Sequence, residues 1–175
     1  MDIHKLTEEE ANEINTWTYE EPYNLYSFSG EKEVMEELLD GTYYGCCDDQ
    51  GDLIGYFCFG ANAQVPGGRD AHLYGGRDAH LYGGRDAHLY GGEDVIDIGL
   101  GMKPALTGKG MGKEFFQAGI AFATKEFNAK MFRLSVATFN TRAITLYKNI
   151  GFKQGPIFLS RGREFMLMEY ERPSA

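Results

Sequence analysis

Within a chain of 175 residues, the stretch Leu100-Gly-Met-Lys-Pro-Ala-Leu-Thr-Gly-Lys-Gly-Met-Gly112 has the residue types and spacing for anion chemistry. An apolar strand pattern ends in a glycine-rich turn, and a helical pattern opens near Met111. A helix N-terminus leaves backbone N–H groups without intrahelical acceptors, and with the helix dipole these attract a phosphate or pyrophosphate. Glycines at 108, 110 and 112 let the backbone take positive φ and approach the anion with no Cβ between. A phosphorylated ligand is therefore expected here. Two familiar phosphate loops fit badly. Thr107 and Glu114 stand where a Walker loop needs its first Gly and its magnesium-binding hydroxyl. The run Gly108-x-Gly110-x-Gly112 lacks the spacing of a dinucleotide fingerprint.

Thr107-Gly-Lys-Gly110-Met-Gly112 matches a third pattern, Arg/Gln-x-x-Gly-x-Gly/Ala, with Thr107 in the Arg/Gln place. Further on, at an αβ spacing, comes Asn140-Thr-Arg-Ala143-Ile-Thr-Leu-Tyr147-Lys-Asn-Ile-Gly151-Phe152. In order and separation the two motifs resemble those of the GNAT acyltransferase superfamily, which binds acetyl-CoA. The resemblance is close from Asp94 to Phe152 and elsewhere rests on the pattern of elements.

The resemblance implies roles. Leu100, Gly101 and Met102 would hydrogen-bond the acetyl carbonyl and pantetheine through their backbone, on a strand splayed from its neighbour. Thr107, Gly108, Lys109, Gly110, Met111, Gly112 and Lys113 would hold the pyrophosphate, the two lysines offsetting the missing Arg/Gln. Asn140 would contact the ligand or simply cap its helix. Tyr147 would be the general acid on the departing thiolate, a role a phenol suits because it stays protonated near neutrality. Asp97 would take the proton of an attacking amine, directly or through water. Glycines at 99 and 101 independently suggest a bulge or a close approach, or else a bend packed on a helix.

The elements that must position these residues follow from periodicity. Asp2–Thr7 reads as a strand. Thr7 and Glu10 form a capping box for a helix to about Trp17. Residues 31–39 read as a second helix, with Val34 and Leu38 inward and Gly41 as its stop. Residues 42–47 and 53–60 are strands joined by the turn-rich residues 48–52, and 95–102 is another. Residues 110–127 form a helix with Phe116, Ile120, Ala123 and Phe127 on one stripe. Residues 130–138 form a strand, 141–150 a helix, and 152–170 a hairpin turning at Arg161-Gly162. The resulting order, β-α-α-β-β-β-α-β-α-β-β, is that of the GNAT family. It predicts one α/β domain over 1–175 with a mixed, mostly antiparallel central sheet flanked by helices.

An insertion breaks the pattern. Gly67-Gly-Arg-Asp-Ala-His-Leu-Tyr74 recurs unchanged at 75–82 and 83–90. The copies alternate like short strands, yet three tight reversals would deliver the Val95 strand in the wrong direction. A long loop, or one ordered copy with two looped out, are the alternatives. His72, His80 and His88 sit in glycine-rich sequence that preforms no metal geometry, so no metal is expected there.

Composition sets the class. A hydrophobic content of 43% and aromatic content of 14% support a folded chain. A net charge of −9 argues against nucleic acid and is compatible with a cationic acceptor, or serves solubility alone. No segment has the length and apolarity of a membrane span, and residues 1–10 lack a signal-peptide core. Cys46, Cys47 and Cys58 form neither a disulfide framework nor a metal spacing and read as buried small hydrophobes in a cytoplasmic protein. The function that the GNAT resemblance implies is that of an N-acetyltransferase. It would use acetyl-CoA as cosubstrate and acetylate a small amine or a protein N-terminus in a ternary complex, without a covalent intermediate. The alternative is a non-catalytic acyl-CoA sensor or interaction module of the same fold. Neither nucleic acid nor membrane is expected as a partner, and a homodimer is compatible with the sequence. For the acceptor, Trp17 to Tyr26 offers aromatics and the carboxylates Glu20 and Glu21. These either cradle a cationic amine or close the core edge.

Overall fold

The computed structural model describes residues 1–65, 72–73, 95–160 and 162–173. Two compact units emerge, one formed by Met1–Phe59 with Leu100–Glu126 and the other by Gly60–Gly99 with Phe127–Ala175.

In the first unit, β1 (Asp2–Lys5), β2 (Tyr43–Cys47) and β3 (Leu53–Phe59) form an antiparallel meander. The Asp48 carboxylate accepts from the N–H groups of Gln50 and Asp52, which fixes the β2–β3 turn. Helix α1 (Glu8–Ile14) starts at the expected capping box, Thr7 with Glu10. It stops before Trp17 because Thr16 and Trp17 turn back to i−3 carbonyls. The Asn15 side chain meanwhile binds Gly30 N–H and the Glu31 carbonyl. Helix α2 spans Lys32–Leu38, with Leu38 buried and Val34 half-buried. Period-2 alternation sorts the sheet's two faces. On one, Tyr44, Gly55, Phe57 and Phe59 meet Phe115 and Phe122 of α3 (Gly112–Phe127). On the other, Tyr43 and Tyr56 meet Trp17, Phe28 and Glu37. The inward stripe of α3 is Phe115, Phe116, Gly119 and Ala123. Phe127, expected inside, is 40% exposed. The stripe turns because Gly119, not Ile120, admits the Phe57 ring: a Cβ there would lie 2.2 Å from it.

In the second unit the strands run in the order β5 (Val95–Met102), β6 (Met131–Ala137), β8 (Arg163–Glu171), β7 (Lys153–Ser160), β4 (His72–Leu73). Strand β5, of which residues 95–99 belong here, pairs parallel with β6. The other pairs, β6 with β8, β8 with β7 and β7 with β4, are antiparallel. Helix α4, Thr141–Ile150, falls on the predicted bounds and leads through Gly151 at φ 126 into Phe152. Phe152 stacks on Tyr170, which stacks on Phe132. The predicted final turn holds Gly162 at φ 78. The element order agrees with expectation except for β4. It shows one octapeptide copy contributing a strand; the other copies, with His80 and His88, lie outside the described residues. The mixed, mostly antiparallel α/β class is as read from the sequence.

Candidate active site

The first unit carries the glycine-rich turn expected to receive an anion. A short 3₁₀ turn at Pro104–Leu106 follows β5 and positions Thr107, whose hydroxyl donates to the Pro104 carbonyl at 2.8 Å. That hydroxyl closes the turn; the Arg/Gln place is filled by a structural residue. Gly108 and Gly110 take φ 72 and 80, the left-handed region their type was expected to serve. An added Cβ at Gly110 would meet no described atom within 4 Å. Helix α3 begins at Gly112, and its first turn closes with Phe115 N–H on the Met111 carbonyl at 3.1 Å. The N–H groups of Gly112, Lys113 and Glu114 therefore precede the first intrahelical donor and face out of the helix end. Lys109 and Lys113 are exposed beside them. Positive-φ backbone, a helix N-terminus, two cations and room for a ligand make these residues fit a pyrophosphate.

Upstream, the strand residues Leu100, Gly101 and Met102 are half-buried. A Cβ at Gly101 would lie 2.5 Å from the Tyr56 ring and 2.8 Å from its hydroxyl, so this glycine is required by a side chain of the protein itself. The Tyr19 hydroxyl donates to the Met102 carbonyl at 2.6 Å, and burial raises its pKa to about 12. The aromatic segment considered for the acceptor side thus meets the end of the strand considered for the acetyl group. Trp17 is buried core, Tyr19, Tyr23 and Tyr26 are half-buried, and Glu20 and Glu21 are exposed. Nearby Lys103 pairs with Glu13 at 3.5 Å. Tyr56 and Tyr19 had no motif to mark them; only the glycine at 101 hinted that something approaches.

The second unit carries the other named residues. Asn140 caps α4, its Oδ1 accepting from Ala143 N–H at 3.2 Å. Tyr147 is buried on the same helix, with its ring 6.0 Å from that of Phe152. Pairing between β5 and β6 covers Val95–Asp97.

Asp97 corrects the sequence reading. It is 6% exposed, and its register partner across the parallel pair is Arg133, 3% exposed. Arg133 Nε donates to Oδ1 at 2.6 Å and Nη2 to Oδ2 at 2.9 Å, while Gln64 Nε2 donates to Oδ2 at 2.9 Å. A carboxylate held this way is a buried bidentate ion pair, an arrangement that argues against the general-base role expected of it. Arg133 escaped the sequence reading because the match depends on parallel register.

No cysteine competes as a nucleophile. All three are free thiols and buried. Burial pushes Cys46 up to about 12 and Cys47 up to about 11, so neither is a thiolate near neutrality. A separate cavity of about 510 Å³ is lined by Lys153, Gln154, Glu169, Glu171 and Arg172 among others, and by none of the predicted site residues.

Comparison with known proteins gives the family. The acetyltransferase (GNAT) family model matches residues 8–152. The chain belongs to that family. Among solved structures it is similar to an acetyltransferase (GNAT family) from Bacillus anthracis, at TM-score 0.66 and 15% identity, covering 97% of this chain and 93% of that one. Aminoglycoside acetyltransferase AAC(6')-Ib in complex with coenzyme A gives TM-score 0.67 and 16% identity, over 97% and 94%. A spermidine N-acetyltransferase SpeG chimera from Vibrio cholerae and hSSAT gives 0.62 and 17%, over 97% and 94%. No curated protein matches the sequence. No helix among the described residues is long and apolar enough to cross a membrane.

Proposed function

We propose that this protein transfers the acetyl group of acetyl-CoA to an amine, by direct attack within a ternary complex in the cytoplasm. The observation that carries the reading is the turn at 107–112: two left-handed glycines and an α-helix N-terminus, inside the span of the GNAT model. Acetyl-CoA, when bound, supplies the reactive thioester. The turn and Lys109 and Lys113 hold its pyrophosphate, and the N–H groups of residues 100–102 meet the acetyl carbonyl and pantetheine. Tyr147 gives its phenolic proton to the departing thiolate. The buried, protonated thiols support direct transfer without an acyl-enzyme. With Asp97 paired to Arg133, the amine loses its proton to water.

The acceptor is a small-molecule amine or a protein N-terminus. The small amine is favoured by two structural neighbours, a spermidine N-acetyltransferase chimera and an aminoglycoside acetyltransferase, and a net charge of −9 suits a cation. The test is CoA release from acetyl-CoA across polyamines, aminoglycosides, simple amines and peptides with free N-termini. Release with one class identifies the acceptor. Tight acetyl-CoA binding with no release in any class would instead make the protein an acyl-CoA-binding module.

A further inference from the structure

A second constellation lies within the first unit, on the sheet face that receives α1. In the β1–β2 register Asp2 faces Cys47 and His4 faces Gly45, so Asp2, His4 and Cys47 project from one face. Gly45 leaves the floor open, and the Glu10 carboxylate fills it: a Cβ at 45 would sit 3.1 Å from both carboxylate oxygens. Glu10 is fixed by the capping box, Oε1 accepting from Thr7 N–H at 3.0 Å and from Thr7 Oγ1–H at 3.1 Å. Its Oε2 lies 2.8 Å from His4 Nε2 and 3.5 Å from Cys47 Sγ. One nitrogen, one oxygen and one sulfur thus lie within 4.8 Å of one another.

We propose that His4, Glu10 and Cys47 form a binding site for a borderline-soft divalent cation of the zinc type. The donor set is the mixed imidazole, carboxylate and thiolate set that zinc takes, and three protein ligands leave a fourth position for water. Tetrahedral bonds of about 2.0–2.3 Å separate ligand atoms by about 3.3–3.6 Å. The Cys47 to Glu10 distance already fits, and the His4 to Glu10 distance opens by about half an ångström. Asp2 Oδ2 lies 2.8 Å from His4 Nδ1, the carboxylate–histidine arrangement that fixes the tautomer with Nε2 turned to a metal. The cation has a way in, since the His4 side chain is 34% exposed. On coordination the Cys47 thiol proton and any proton on His4 Nε2 pass to solvent, as the metal deprotonates its ligands. The site draws on no residue given a part in acetyl transfer.

The test is titration of the metal-free full-length protein with Co²⁺, with Zn²⁺ competing it off. Two backgrounds serve: the wild type, and a chain with His72, His80 and His88 changed to asparagine. We expect one Co²⁺ per chain in both, with an intense near-ultraviolet thiolate-to-cobalt charge-transfer band. Cys47→Ser and His4→Asn should each lose the band and weaken Zn²⁺ binding more than tenfold, while Cys46→Ser keeps both. Asp2→Asn should weaken binding about 10–100-fold, the usual effect of losing an outer-shell partner. Far-UV circular dichroism checks each fold, and the part-exposed His4→Asn decides alone if Cys47→Ser does not fold. Three results overturn the site: no stoichiometric Co²⁺, a band that survives Cys47→Ser, or a band that vanishes with the repeat histidines.

Discussion

Replacing Gly110 with Asp separates ligand binding from folding at the anion turn. Position 110 has φ 80, and a Cβ there meets no described neighbour within 4 Å. The ligand-free chain therefore bears only the left-handed backbone penalty, about 1 kcal/mol for Asp, which tolerates that region better than most residues. The bound state bears more. A carboxylate roughly 5 Å from one pyrophosphate charge repels it by about 0.8–3 kcal/mol, for effective dielectrics between 80 and 20. Two charges put the loss above about 1.5 kcal/mol, more than tenfold in affinity. Calorimetric titration with CoA measures this directly. Thermal melts give a second reading, because CoA at about 100 times its Kd stabilises wild type by about 2.7 kcal/mol. ATP and NAD at equal concentration should give no such shift. Raising the salt should narrow the gap between variant and wild type, since the repulsion is exposed to solvent. A folded Gly110→Asp protein that binds CoA within threefold of wild type would refute the assignment, as would equal stabilisation by ATP.

Tyr147→Phe keeps the ring packed on Phe152 and removes only the hydroxyl, so kcat should fall about 10²–10⁴-fold with CoA affinity little changed. An unchanged kcat under chemistry-limited conditions would make Tyr147 structural. Asp97→Asn removes the negative charge from the buried bidentate pair with Arg133 and should cost about 3–5 kcal/mol in urea unfolding; wild-type stability with a selective loss of kcat would restore the base assignment. Gly119→Ala gains about 1 kcal/mol of helix propensity but drives a Cβ to 2.2 Å from the buried Phe57 ring. Overpacking of about 1–3 kcal/mol or more should win, and a urea midpoint at or above wild type would show that Phe57 yields. Stability should also fall in alkali. Burial raises Cys46 from 9.0 to about 12 and Tyr19 from 10.0 to about 12, so the unfolded chain releases these protons first. Their contribution is whole below about pH 9 and shrinks toward pH 12, and a flat melting temperature from pH 8 to 11 would contradict it.

What the sequence made legible was local chemistry. The Thr7–Glu10 capping box, the bounds of α4 and the Gly162 turn each depend on residues a few positions apart, whose hydrogen bonds or φ values their types dictate. The left-handed glycines of the 107–112 turn were legible for the same reason. What escaped was pairing across distance. Asp97 looked like a base until parallel register set Arg133 beside it, and His4 was unremarkable until antiparallel register set it over Gly45 and beside Glu10.

The glycines show where that boundary falls. In sequence, Gly45, Gly55, Gly101 and Gly119 are alike, and an anion turn made close approach of a ligand the natural reading of Gly101. In the first unit each is instead a slot cut for one partner: the Glu10 carboxylate, the Phe115 ring, the Tyr56 ring and the Phe57 ring. A Cβ at 55, 101 or 119 would fall within 2.2–2.5 Å of its ring, so these glycines answer to packing. Gly110 differs, for its Cβ position is open, as it is at plain turns such as Gly51 and Gly162. Openness alone is therefore not a binding signal. What singles out Gly110 is openness combined with left-handed backbone two residues before an α-helix, where dipole and N–H donors converge. Substitution should separate the two kinds of glycine. Alanine at 55, 101 or 119 should lower stability whether or not CoA is present. Aspartate at 110 should leave the fold nearly intact and show its main effect only when CoA is added.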